Sequence, residues 1–134
     1  MNADTVVIDS SVFVAIFKEE ADAAGLTERA FLYGQKVMSA ATWLECAIIC
    51  EGTTAKGGAE RFERIAASLG VQVISFTPEQ ARLALEAFKR FGKGRRAKAS
   101  LNYGDCFAYA LAKQLEAPLL FKGNDFIHTD IVPA

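Results

Sequence analysis

The stretch Thr5-Val6-Val7-Ile8-Asp9-Ser10-Ser11 decides how the rest of the chain is read. Three β-branched apolar residues, Val6 to Ile8, run straight into a carboxylate and two hydroxyls. A short continuous Val/Ile run suits a strand covered on both faces, the condition of a central strand in a parallel sheet. Open α/β sheets carry their ligands outside the carboxyl ends of their strands, which puts Asp9 where chemistry is done. Asp9, Ser10 or Ser11 equally suits the plain duty of capping a following helix. The other acids of the chain have to separate these readings.

Working outward, helical and extended patterns alternate. Val12 to Glu20 reads as a helix, and so does Asp22 to Tyr33, with Leu26, Ala30 and Tyr33 on one face and Gly34 as its stop. Lys36 to Ser39 reads as a second short strand. Thr42 to Cys50 (TWLECAIIC) reads as a helix apolar nearly all round, and therefore largely buried. A polar loop over residues 52–58 precedes an amphipathic helix from Glu60 to Leu69, closed by Gly70, and Val71 to Phe76 (VQVISF) reads as a strand. Thr77-Pro78-Glu79-Gln80 has the cap, the first-position proline and the third-position amide of a helix start. That helix runs to Phe91 and breaks at Gly92. After a basic loop, Leu101 to Glu116 is again helical and Ala117 to Phe121 (APLLF) a buried strand. Lys122 to Phe126 is a turn by composition, and Asp130 to Val132 a last short strand. No repeat or linker interrupts the 134 residues, so one domain over 1–134 is expected. The alternation gives an α/β class with a mainly parallel sheet.

At 51% hydrophobic residues the chain has the composition of an ordered globular protein, not a disordered one. No apolar run approaches the roughly 18–20 residues that cross a bilayer, and the N-terminus has no basic region leading into a signal core. A cytoplasmic protein without a membrane is expected. Three cysteines, an odd number in apolar surroundings, read as small buried hydrophobes. The net charge of −1 is unevenly spread. Lys89, Arg90, Lys93, Arg95, Arg96 and Lys98 fall within ten acid-free residues; removing those six of the 15 basic residues leaves nine against 16 acidic, a balance of −7. An acidic molecule with one basic patch results.

Four acids stand out by context: Asp9 at a strand end, Glu45 alone in an apolar helix, Asp105 in a helix's first turn and Asp125 after a buried strand. Each has a plain alternative: a cap for Asp9, the helix dipole for Asp105, a turn former for Asp125. Glu45 has the weakest alternative, because an unpaired buried carboxylate is costly and ends up paired or bound to metal. Clustered carboxylates repel one another unless a cation is present. Cys46 and Cys50 lie one turn apart, but His128 is the only histidine, so no Cys/His set is complete. An all-oxygen set suits Mg²⁺, with Mn²⁺ as the alternative, far better than Zn²⁺, and such ions serve phosphoryl chemistry.

The blocks VVIDSSVFVAIF, SAATWLECAII, LNYGDCFAYALAK and LLFKGNDFIHTDI, in this order and at this spacing, resemble the PIN-domain family, and more narrowly its VapC toxins of bacterial toxin–antitoxin systems. The resemblance covers essentially the whole chain. It implies a three-layer α/β/α sandwich and a Mg²⁺-dependent endoribonuclease that leaves a 5′-phosphate and a 3′-hydroxyl. Asp9, Glu45 and Asp105 take the family's first three acidic positions. Many relatives carry the fourth acid two residues before the Asp-Phe pair; that place is Gly123 here, so Asp125 has to supply it. Ser10, or else Thr129, matches a small hydroxyl placed at the site. The resemblance also implies a homodimer and a cognate antitoxin. Phe13, Phe17, Leu26, Phe31 and Tyr33 on the first helices suggest an exposed apolar patch, so the antitoxin is expected along them, with an arginine reaching the acids; the alternative is that these residues are all core.

For an RNA substrate the basic loop supplies candidate phosphate contacts in Arg95, Arg96 and Lys98; an ordinary solvated charge run is the alternative. Two other functions compete. A catalytically silent module that keeps the fold and binds a partner or nucleic acid would be favoured by loss of an acid. A phosphoacceptor signalling domain would carry an acidic pair after its first strand, where this chain has Ser10 and Ser11 behind Asp9.

Overall fold

The structure, a computed structural model, describes residues 4–53, 56–95 and 98–134. They form β1 (Thr5–Ile8), α1 (Ser10–Phe17), α2 (Ala23–Ala30), β2 (Gln35–Ser39), α3 (Ala40–Thr53), α4 (Gly58–Leu69), β3 (Val71–Ile74), α5 (Pro78–Phe91), α6 (Tyr103–Leu115) and β4 (Leu119–Leu120). The strands make one sheet in the order β3-β2-β1-β4, with every pairing parallel. Val7 of β1 is in register with Val37 on one side and Leu119 on the other. The Val/Ile run is therefore a central strand, and all of it is buried.

Alternation along β1 divides the core in two. Val6 and Ile8 face a cluster with Phe13 and Phe17 of α1, Cys46 and Cys50 of α3 and Phe62 of α4. Val7 faces the opposite cluster, with Ala84 and Ala87 of α5 and the buried stripe of α6 from Cys106 to Ala112. Helices thus cover both faces of a parallel sheet, the three-layer α/β/α sandwich expected from the sequence. Local signals hold where they were specific. Thr77 accepts from the Gln80 amide at 3.2 Å with Pro78 opening α5, and Gly70 ends α4 in the left-handed conformation at φ 72°.

Three expectations need correction. First, α3 is not buried all round: Thr42, Cys46, Ala47 and Cys50 face inward, while Leu44 and Ile48 are more than half exposed. One layer of neighbours covers one side of a helix, whatever its composition. Second, residues 130–132 form no strand. Leu119 makes a lone bridge to Pro133, and Asp130 is held by side-chain bonds from Tyr109 and Lys113. Third, Phe13 and Phe17 are core residues, so they offer no docking surface; Phe31, just beyond α2, is exposed.

Candidate active site

The acids come together at the carboxyl end of the central strand. Asp9 follows β1 directly and caps α1, its Oδ2 accepting from the Ser11 amide at 3.1 Å. The capping reading accounts for that oxygen only. Asp9 is 3% exposed, and its Oδ1 is buried with no hydrogen-bond partner. Burial pushes the Asp9 carboxyl above its usual range, against hydrogen bonds from Ser11 and Ser10, and the charge of Asp125 adds to the rise.

Glu45 reaches the same place from α3. Its Oε1 is also buried without a partner. Burial, then the charge of Asp9, raises its pKa, while the Ser10 hydroxyl favours the ionised form. The carboxylate lies directly over Gly104 in the first turn of α6. The sequence reading passed over this glycine, because a helical glycine carries no signal of what approaches it.

Asp105 is the third helical residue of α6 and closes a capping box with Asn102. Its Oδ2 accepts from the Asn102 amide at 3.0 Å, and Asn102 Oδ1 accepts from the Asp105 amide at 2.8 Å. The helix-start duty is thus real, yet the residue is buried and its pKa is pushed up to about 8. Burial is the main cause, and the charges of Asp9 and Asp125 and a hydrogen bond with Asp125 add to it.

Asp125 is exposed on the turn after β4. Gly123 has φ 98°, a conformation that disfavours any side chain; this is a physical reason for the acid to stand at 125 instead. The turn is tied to α1 and its flank, since the Lys122 amide donates to Ser11 Oγ at 2.9 Å and its ammonium pairs with Glu20 at 2.6 Å and Asp22 at 3.1 Å. The Thr129 hydroxyl donates to the Phe126 carbonyl at 2.7 Å and accepts from the Ile131 amide at 3.2 Å.

Among the described residues, no three carboxylate, thiol or imidazole groups close on one point as a finished metal cage. The donors nevertheless fit a hard divalent cation. Two buried carboxylate oxygens, Asp9 Oδ1 and Glu45 Oε1, have no partner, and the charge of Asp9 adds to the raised pKa of both Glu45 and Asp105. A divalent cation with oxygen ligands removes both penalties. The thiols are not candidates. All three are buried, and burial pushes Cys106 up to about 11 and Cys46 further still.

Lys89 and Arg90 lie in the last turn of α5, and the other basic residues follow on the connection that enters α6. It is stapled at its base, with Lys93 N donating to Leu101 O and Leu101 N to Phe91 O, both at 2.9 Å. Arg90 is held by Asp130 and Lys89 faces Glu86. Arg95 and Lys98 are exposed, and Arg95 lies 6.0 Å from the Phe88 ring. Arg96 lies outside the described residues. Beside Glu45, a groove of about 490 Å³ is lined by Leu44, Ile48, Phe76, Tyr103 and Phe107. Leu85 and Phe88 extend the apolar face along α5.

Residues 6–132 match the PIN domain family. A VapC ribonuclease of Mycobacterium bovis is 40% identical over 94% of this chain and 95% of its own length. A ribonuclease VapC of Mycolicibacterium smegmatis is 41% identical over 94% and 97%. Among solved structures, VapC20 of Mycobacterium tuberculosis, described as a toxin cleaving the sarcin-ricin loop, superposes with a TM-score of 0.75 at 16% identity, covering 96% of this chain and 98% of that one. A toxin–antitoxin complex from Klebsiella pneumoniae gives 0.70 at 18% identity, covering 96% of each chain. These two likenesses concern the fold, and the family rests on the sequence matches. A PIN match over nearly the whole chain, with VapC relatives at 40% identity, means that the chain belongs to the PIN-domain family, among its VapC ribonucleases.

Proposed function

We propose that this ribonuclease is the toxin of a toxin–antitoxin pair and cuts RNA internally, with Mg²⁺, or Mn²⁺ in its place, held by Asp9, Glu45, Asp105 and Asp125. The observation that carries the reading is the pair of buried, partnerless oxygens, Asp9 Oδ1 and Glu45 Oε1. A protein retains such groups where a ligand satisfies them. The bound cation would supply the Lewis acid and the more acidic water of phosphodiester hydrolysis. The chain's own residues do the rest. Ser11 N–H holds Asp9 by Oδ2, leaving Oδ1 buried without a partner, and Asn102 N–H holds Asp105 by Oδ2. The attacking water gives up one proton and the departing 3′ oxygen takes one up. The water oxygen joins phosphorus and the bond to the 3′ oxygen breaks, giving a 5′-phosphate and a 3′-hydroxyl.

Arg95, Arg96 and Lys98 serve as phosphate contacts, because an acidic pocket repels RNA unless basic groups and metal offset it. A second copy covers the apolar face of Leu44, Ile48, Leu85 and Tyr103, each more than half exposed; contiguous patches of this kind mark interfaces. The antitoxin docks at Phe31 and Leu32, 55% and 78% exposed at the end of α2, and an arginine of its own occupies the acidic pocket. No helix among the described residues is long and apolar enough to cross a membrane, and we place the protein in the cytoplasm.

The test is cleavage of a structured RNA. The wild type should cut with Mg²⁺ and stop with EDTA, and Glu45→Gln should be inactive while remaining folded. Cleavage that survives chelation overturns the metal reading. A wild type that binds RNA and metal but never cuts points to the silent module.

A further inference from the structure

Gly104 is the second helical residue of α6. It has none of the positive φ seen at Gly57, Gly70, Gly94 and Gly123, so its backbone does not require glycine. Glycine is also among the poorest helix formers. What excludes a side chain is one neighbour. The three atoms nearest to a Cβ built at Gly104 all belong to the Glu45 carboxylate: Oε2 in outright overlap, Cδ at 2.7 Å and Oε1 at 2.8 Å.

We infer that Gly104 is a positioning residue, whose missing side chain is the space that seats the Glu45 carboxylate beside Asp9. Glu45 comes from another helix, and its carboxylate is the far end of a flexible side chain. A methyl group at 104 therefore displaces the carboxylate and leaves the α3 and α6 backbones in place. The displaced carboxylate loses its approach to Asp9 and Ser10, which both register in its ionisation. The groove of Leu44, Ile48, Tyr103 and Phe107, which Glu45 and Gly104 also line, lies alongside. α6 gains a better helix former while the site loses an acid. This rests on the reading of Glu45 as a metal holder.

The experiment compares wild type, Gly104→Ala, Glu45→Ala and the double variant by Mn²⁺ titration calorimetry, with melting curves of the metal-free proteins. Gly104→Ala should weaken Mn²⁺ binding about tenfold or more, the scale of losing a group that orients a ligand, with its metal-free melting temperature unchanged or raised. In the Glu45→Ala background, Gly104→Ala should have no further effect on affinity, because residues acting through one contact are not additive. If Glu45→Ala weakens binding and Gly104→Ala does not, this inference alone falls. If Glu45→Ala leaves binding intact, the metal role of Glu45 falls and takes the inference with it. Should Gly104→Ala fail to fold, the double variant must restore folding by removing the clash; a double variant that stays unfolded overturns the proposal.

Discussion

At the scale of single residues, two of the site's carboxyl groups do ordinary structural work with one oxygen, Asp9 and Asp105, and two keep a buried oxygen without a partner, Asp9 and Glu45. Asp9 caps α1 and Asp105 closes the capping box of α6, yet both carry raised proton affinity. Glu45 shares that property. A raised acid binds its proton more tightly folded than unfolded, so its contribution to stability is full below the unfolded pKa and is lost as pH climbs through the folded one. For Asp105 the window runs from 3.8 to about 8. The metal-free protein should therefore melt a few degrees lower at the top of this window than at the bottom, and Asp105→Asn should flatten the slope. Asp130 acts in the opposite sense only at more acid pH: burial alone would raise it, but Tyr109, Lys113 and Arg90 outweigh that and lower it. Melting temperatures that climb steadily from pH 5 to pH 8 would contradict the assignment. With Mn²⁺ present the order reverses, since ligands must lose their protons to bind. Asp9→Asn should remove most of the calorimetric heat; undiminished binding in Asp9→Asn combined with Asp105→Asn would rule the site out. Asp9 and Glu45 were legible in the sequence because each is a charge in a setting that otherwise excludes charge. Gly104 was not, because its meaning lies in a carboxylate that arrives from 59 positions away in the chain, Glu45 to Gly104.

At the scale of elements, periodicity identified the helices and strands but not what covers them. α3 has apolar residues on all sides, and composition alone cannot distinguish a helix covered by its own chain from one that awaits a partner. The structure leaves Leu44 and Ile48 outside. Replacing Ile48 with Asp should leave a folded protein that no longer self-associates, which sedimentation velocity would read directly; an unchanged oligomeric state moves the interface elsewhere. Phe17 gives the opposite result. It is 3% exposed and stacks beneath the Arg61 guanidinium at 4.5 Å. Phe17→Asp buries a charge in an apolar setting and should cost several kcal/mol, on the order of 3–5, enough to unfold much of the isolated protein by circular dichroism. The C-terminal segment misled the strand reading for a related reason: Asp130 has three polar partners drawn from α5 and α6, and an Asp-Ile-Val triplet does not announce them.

At the scale of the whole molecule, charge is partitioned. Acids gather at the rim of the sheet, and the basic connection enters α6 only a few residues before Asp105. Replacing Arg95 and Lys98 with Ala should weaken RNA binding and reduce the log–log salt slope by roughly 0.7 for each phosphate no longer neutralised; an unaltered slope would make the loop a solvated charge run. The strand order carries a different consequence, one of timing. β1 sits at the centre of the sheet, but its neighbour β4 comes 112 positions later, Val7 to Leu119, so Val7 pairs with Leu119 and the Lys122 amide closes onto Ser11 only once the intervening elements exist. Domains fold while the ribosome is still adding residues. A nascent chain that ends before β4 has neither a complete sheet nor Asp125, and a truncation after Glu116 should bind no Mn²⁺. A ribosome that has not yet reached β4 therefore carries no complete site.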